Sequence, residues 1–539
     1  MNQKGNKAMR CTLSVLLTVV FVVVAFGIGY QNWNNTAFEA QAKMHSPLES
    51  VSYETFVTEG DGEQLSTEQK VNDFLFLSQM LTENTFLDEG NEALLGISQE
   101  ERNAEYLELV KATQNDVEFY FVLQRYLCGM KSVHTYMVTP NYDRYISYAD
   151  VRTAQDLRAE ISKEKIDAFE MRLSEAAAET EQYPEKVFLY VEGSYYEIGT
   201  DNRIVRMNGK ENVQEELDSL GLFYKMDYDF LRESMYYPFV IFNEGYGTEV
   251  VVEMSSGEVY TLNHAPEVEY RVLRSDYELT GKVFRDFMYL YEEGTAYLRI
   301  GSLARDRADE LEMVMQCYER EENAVENLIV DLRGNLGGTA ANVLYGVLDK
   351  VFPVEITTGR DFYLPYTEWN RSVQERYNGI NVKETKLTRN VPKEIKDGNY
   401  YYHITEERSV GSRENKKCTV YVLVNNETAS AADWLAHYLR EYMGAVVVGQ
   451  NTAGEGLSDS PVYTLLPNSG FLVSYFDSYA KNAEGRSNSV YGTEPDYYVE
   501  NTIGDVLAPD DREKEKSMRE LMKDDTQLRF IFEELLGEK

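Results

Sequence analysis

A chain of 539 residues is longer than one average hydrophobic core requires, and its hydrophobic share of 43% leaves room for roughly two to four domains. With 91 acidic against 53 basic residues the formal charge is −38, which argues against a phosphate-binding surface and so against a nucleic-acid partner. The four cysteines (Cys11, Cys128, Cys317, Cys418) are too scattered for a disulfide scaffold and show no metal-ligand spacing, so buried free thiols are expected, with no metal and no cofactor.

In chain order, Lys4, Lys7 and Arg10 precede an uncharged apolar run from Cys11 to Tyr30. A helix of that length matches a hydrocarbon core of ~30 Å. The basic flank belongs in the cytoplasm, which places the rest of the chain outside. The first Ala-x-Ala, at Ala40 and Ala42, lies well beyond the run, favouring an uncleaved single-pass anchor over a signal peptide. Residues 1–30 therefore read as cytoplasmic stub and membrane anchor, and 31–65 as a polar tether.

Residues 66–182 carry helical periodicity, clearest where Phe119, Val122, Leu123, Tyr126 and Leu127 form one stripe before Gly129. A turn with Ser132-Val133-His134-Thr135 follows. An isolated loop histidine is ordinarily an idle surface group. Residues 183–270 switch to short strands around Asn208-Gly209 and Ser256-Gly257 turns, with one helix at 213–220. The segment from Arg203 to Gly209 resembles the strand and turn of PDZ modules, which bind peptide ends by strand addition.

From 280 to 505 strands alternate with helices, the pattern of an α/β sheet with parallel members. One strand, Leu328 to Leu332, runs into Arg333-Gly334-Asn335-Leu336-Gly337-Gly338 and then a helix expected over 339–352. Such a glycine turn can cradle phosphate or stabilise an oxyanion, but it lacks any phosphate-loop signature. Residues 358–416 read as a polar insertion, mostly loop, with a strand at Tyr400 to Ile404. A second buried strand, Val420 to Val424, breaks at Asn425 and enters a helix at Ser430. Serine is a preferred N-cap, and it is also the hydroxyl that a strand–turn–helix unit projects toward an electrophile. A hairpin flanks Pro467-Asn468-Ser469-Gly470, and 506–539 is an amphipathic helical tail.

Three segments, Ile329 to Gly338 (IVDLRGNLGG), Val422 to Asp433 (VLVNNETASAAD) and Val446 to Gly456 (VVVGQNTAGEG), resemble the tail-specific, or C-terminal processing, serine protease family in its broad sense, which includes the tricorn core protease. LLPNSG at Leu465 and YGTEPD at Tyr491 agree in order and spacing. The resemblance implies a crotonase-like, ClpP-like α/β catalytic domain, a protein or peptide substrate, and Ser430 as nucleophile. The chain departs from the Ser/Lys branch, whose base lysine falls on Glu455. In the tricorn-like branch the base is a histidine from an upstream His-Thr turn, which maps onto His134. An unperturbed imidazole suits that role and predicts activity rising through about pH 6 to 7. His437, about 10 Å along the helix from Ser430, is too far to serve. The glutamate expected before the Tyr-Gly-Thr turn is Ser489, so Ser489 and Glu455 are rival orienting groups. Ala431 with Gly337 or Gly338 would supply the oxyanion hole. The expected activity is that of a membrane-anchored extracytoplasmic serine endopeptidase, and the competing expectation is an inactive relative that binds peptides.

Overall fold

The computed structural model describes residues 53–58, 64–86, 92, 94, 96–138, 169, 171–175, 185–269, 286–352, 355–377, 386–388, 401–411, 418–458, 461–508 and 517–537. The expected anchor, most of the expected tether and most of residues 139–182 of the expected helical region lie outside the described residues. Among the described residues no helix is long and apolar enough to cross a membrane.

Short aliphatic runs build a six-stranded sheet in the order Phe287–Glu292, Thr295–Ile300, Asn327–Asp331, Thr419–Val424, Val446–Gly449, Tyr497–Tyr498. The first pair is antiparallel and every later pairing is parallel. The central strands are buried almost throughout because both faces are covered. The two-residue period of a strand divides their side chains. Leu328, Val330, Val420 and Val422 pack under the helices Ala308–Glu321 and Ala431–Met443. Ile329, Tyr421 and Leu423 meet Met518, Leu528, Ile531 and Phe532 of the C-terminal tail.

The N-terminal helices Thr67–Asn84, Gln99–Ala112 and Asp116–Cys128 are not a separate body. Phe74, Phe119, Leu123 and Tyr126 share one core with Leu465, Phe471 and Tyr475 of the hairpin Val462–Leu465/Leu472–Tyr475. The strand Tyr136–Met137 then adds to that hairpin, pairing with Ser474 and Val473. This docking carries the His134 turn across to the α/β domain.

The β-rich module has six antiparallel strands in the order Ser194–Glu197, Glu185–Val191, Phe239–Asn243, Val259–His264, Thr248–Met254, Ile204–Met207, and the helix Val213–Leu220. The insertion at 358–416 differs from its expected loop character. Ile356–Pro365 and Tyr401–Val410 pair antiparallel along their whole length, and a helix, Glu368–Tyr377, lies between. An antiparallel ribbon tolerates polar residues on one face, which is why composition hid it. The helix expected over 339–352 runs over residues 340–351, with a π-helical middle at Asn342–Leu348 that leads into Asp349–Val351, and Thr339 just before it is bonded through its N–H to the Leu303 carbonyl. The described cysteines form no disulfide with one another, and only Cys128 of them is buried; Cys317 and Cys418 are half-buried, contrary to expectation.

Candidate active site

The strand Thr419–Val424 delivers its chain to a turn locked against the glycine loop. Thr428 Oγ1 donates to the Leu332 carbonyl at 3.0 Å, and the Gly334 N–H donates to Asn425 Oδ1 at 2.9 Å. Next, Ala429 N–H bonds the Asn335 carbonyl and Ser430 N–H bonds the Gly454 carbonyl, at 3.0 and 2.8 Å. Pinned on both sides, Ser430 takes φ 52°, ψ −124°, a region costly for a residue with a β-carbon. Its hydroxyl caps nothing: among the described residues Ser430 Oγ has no hydrogen-bond partner. An N-cap needs an extended backbone and an oxygen turned back on the helix, so the capping reading of Ser430 fails.

Asp433, which sequence reading passed over, fixes the start of this helix. Its buried carboxylate accepts from Thr452 Oγ1 (2.5 Å), Thr493 N and Oγ1 (3.0 and 2.7 Å), Gly456 N (3.1 Å) and Asn488 Nδ2 (2.9 Å). The loops at 452–456 and 488–493 are thereby tied to the first turn after Ser430. The available signal was an acidic residue on the apolar face of a buried helix.

The two glycines differ in what they offer. Gly337 N–H is taken by Asn335 Oδ1 at 2.8 Å, whereas among the described residues Ala431 N–H and Gly338 N–H have no acceptor. Both glycines are sterically required. A β-carbon on Gly337 would lie 2.8 Å from Ser430 Cβ and from Ala431 N, and one on Gly338 would lie 1.9 Å from the Leu303 carbonyl. Two free donors beside a strained hydroxyl is the arrangement that stabilises an alkoxide.

His134 follows the helix Asp116–Cys128 in a tight turn, where Ser132 Oγ and Thr135 Oγ1 lie 2.8 Å apart. Its ring is half-buried and tilts against Phe476 at a centroid distance of 5.8 Å, and its Nε2 is buried with no partner. No hydrogen bond joins the ring to Ser430. The main chain is held instead, His134 N–H donating to Glu455 Oε2 at 2.9 Å. Because Glu455 follows Gly454, whose carbonyl accepts from Ser430, one dipeptide links the backbones of both residues. Ser489 is buried in the short helix Asn488–Tyr491, its Oγ without a partner, and bonds neither His134 nor Glu455.

Lys225 went unnoticed in the sequence. It lies in the module between Leu220 and Asp227, and its Nζ donates to the Ser132 carbonyl. Burial pushes the Glu455 carboxyl up, to about 7, and Lys225 opposes that shift. Burial pushes the Lys225 ammonium down, to about 8, with Glu455 opposing. Burial, with the Lys225 charge second, pushes the His134 imidazole down to about 3. Its affinity for a proton in the free site is therefore weaker than its residue type suggests.

The fold and the site together define a serine-peptidase-like α/β protein: one N–H donor from the glycine turn and one from a helix start, a strained serine between them in sequence and space, and a histidine brought from outside the sheet. Residues 294–499, less than half of the chain, match the model of Peptidase family S41. Mature CPAF shares the fold with a TM-score of 0.50 at 13% identity, over 82% of this chain and 94% of that one. The photosystem II D1 C-terminal processing protease (TM-score 0.35, 12% identity, 80% and 93% covered) and the tricorn protease (TM-score 0.32, 13% identity, 83% and 36% covered) are more distant matches. No curated protein sequence matches.

Proposed function

We propose that the chain is a serine endopeptidase in which Ser430 attacks the peptide carbonyl and His134 is the general base. The imidazole takes the hydroxyl proton as the acyl bond forms and returns it to the departing amine; water then releases the acyl group by the same relay. Ala431 N–H and Gly338 N–H receive the oxyanion. The observation that carries this reading is Ser430 itself, a non-glycine residue at positive φ whose hydroxyl is unbonded beside two unbonded N–H groups. The apolar run at 11–30 anchors the chain with its peptidase domain outside the cell, and the PDZ-like module presents peptide chain ends.

Two observations favour a second reading, a peptide holder without turnover. The ring of His134 makes no bond to Ser430, and a cleft of about 170 Å³ lined by Tyr190, Tyr228, Tyr236, Asn426 and Gln450 opens between module and sheet. A fluorophosphonate probe separates the two. A peptidase is labelled, and Ser430→Ala and His134→Ala each lose labelling by at least about a hundredfold. Absence of labelling in the wild type removes the peptidase reading, and equal labelling of wild type and His134→Ala removes the histidine from the mechanism.

A further inference from the structure

We propose that Lys225, carried in by the β-rich module, is a positioning residue of the peptidase site: with Glu455 it clamps the Ser132–His134 turn, one partner holding a carbonyl and the other an N–H. The inference rests on the peptidase reading and adds a residue that the family resemblance does not supply.

Three observations meet here. The clamp has two ends on one turn, Lys225 Nζ on the Ser132 carbonyl and Glu455 Oε2 on the His134 N–H at 2.9 Å. The Glu455 side chain is only 2% exposed and its Oε1 has no hydrogen-bond partner, so this carboxylate needs a nearby cation to remain ionised. Two lysines act on that charge, Lys225 more strongly than Lys131, and Lys131 is paired with Asp227 at 2.8 Å. The charged groups facing Lys225 are Glu455, Lys131 and Asp227, with the Cys128 thiol beside them and the His134 ring within reach of its charge. Two cations balance two anions. Removing Lys225 takes away the stronger of the two cations that favour this buried carboxylate and leaves the turn held from one end. The position where the Ser/Lys branch keeps its lysine is thus filled by an acid, and a cation arrives from a different part of the chain.

The test is the pH dependence of fluorophosphonate labelling in the full chain for wild type, Lys225→Met and Lys225→Arg, with folding checked by thermal unfolding. Losing the cation raises the affinity of Glu455 for a proton, so Lys225→Met moves the acidic limb of the profile up by about one pH unit or more and slows labelling at pH 7 by roughly tenfold. Lys225→Arg keeps the charge and labels faster than Lys225→Met. An unmoved limb with undiminished labelling overturns the proposal. Should the wild type fail to label, the peptidase reading falls and the clamp is judged by the NMR titration of the His134 ring, identified by its loss in His134→Gln. Lys225→Met then raises the ring's midpoint if the clamp exists, and leaves it unchanged if it does not.

Discussion

Ser430 is the residue on which the local strain falls. Its positive φ costs on the order of 1–3 kcal/mol, and the hydrogen bonds of Ala429, Ser430 and Asp433 hold it there. Gly337 presses on the same atoms, so Gly337→Ala is expected to displace Ser430 and cut labelling by more than about tenfold while the chain still folds; labelling at the wild-type rate would show that the loop can yield. The pH dependence is also a residue-scale matter. An ordinary histidine predicts a limb near pH 6 to 7, but burial lowers His134 to about 3, and Glu455 is the group that titrates near 7. As pH falls through about 7 Glu455 gains a proton and loses its charge, and above about 8 Lys225 loses its own. Labelling should therefore fall on both sides of that interval, and Glu455→Gln should flatten the acidic side. An acidic limb that persists in Glu455→Gln would assign it to another group.

At the scale of elements, the strand Tyr136–Met137 and the helix Ala431–Met443 do most of the positioning. The start of the helix was legible from the break after Val424 and the entry at Ser430, and so was the strand before it. The two-residue strand was not, since nothing in Tyr136-Met137 alone reveals a partner more than three hundred positions away. Asp433→Ala would strip several buried donors of their acceptor, at roughly 3–5 kcal/mol for a network of charge-assisted bonds. Denaturant unfolding should show that loss together with loss of labelling; unchanged stability would mean the loops at 452–456 and 488–493 hold themselves.

For the whole molecule, motif order identified the α/β sheet because each motif is a local turn with its own chemistry. Contacts between distant regions left no such mark, and neither the hairpin shared with the N-terminal helices nor Lys225 was visible. The tail is a further example. Arg333, in the middle of the glycine-loop motif, is fully buried and pairs with both Asp331 and Asp525, at 2.6 and 2.7 Å. Arg333→Met should destabilise the chain by roughly 3–5 kcal/mol, taking a buried cation from both Asp331 and Asp525 under the tail, and a variant as stable as wild type in denaturant would contradict it. Burial alone would raise the Asp331 carboxyl, but Arg299 and Arg333 hold it below the usual range. Its contribution to stability is thus present above the ordinary carboxylate range and is lost as pH falls. The account as a whole requires an imidazole from the helical front of the chain to serve an alcohol on the α/β sheet. A crystal structure of the fluorophosphonate adduct tests that most directly. The account predicts phosphorus on Ser430 Oγ, its oxygen between Ala431 N and Gly338 N, and a His134 ring nitrogen within hydrogen-bond distance of the adduct; phosphorus on any other residue, or a His134 ring remote from it, would contradict the account.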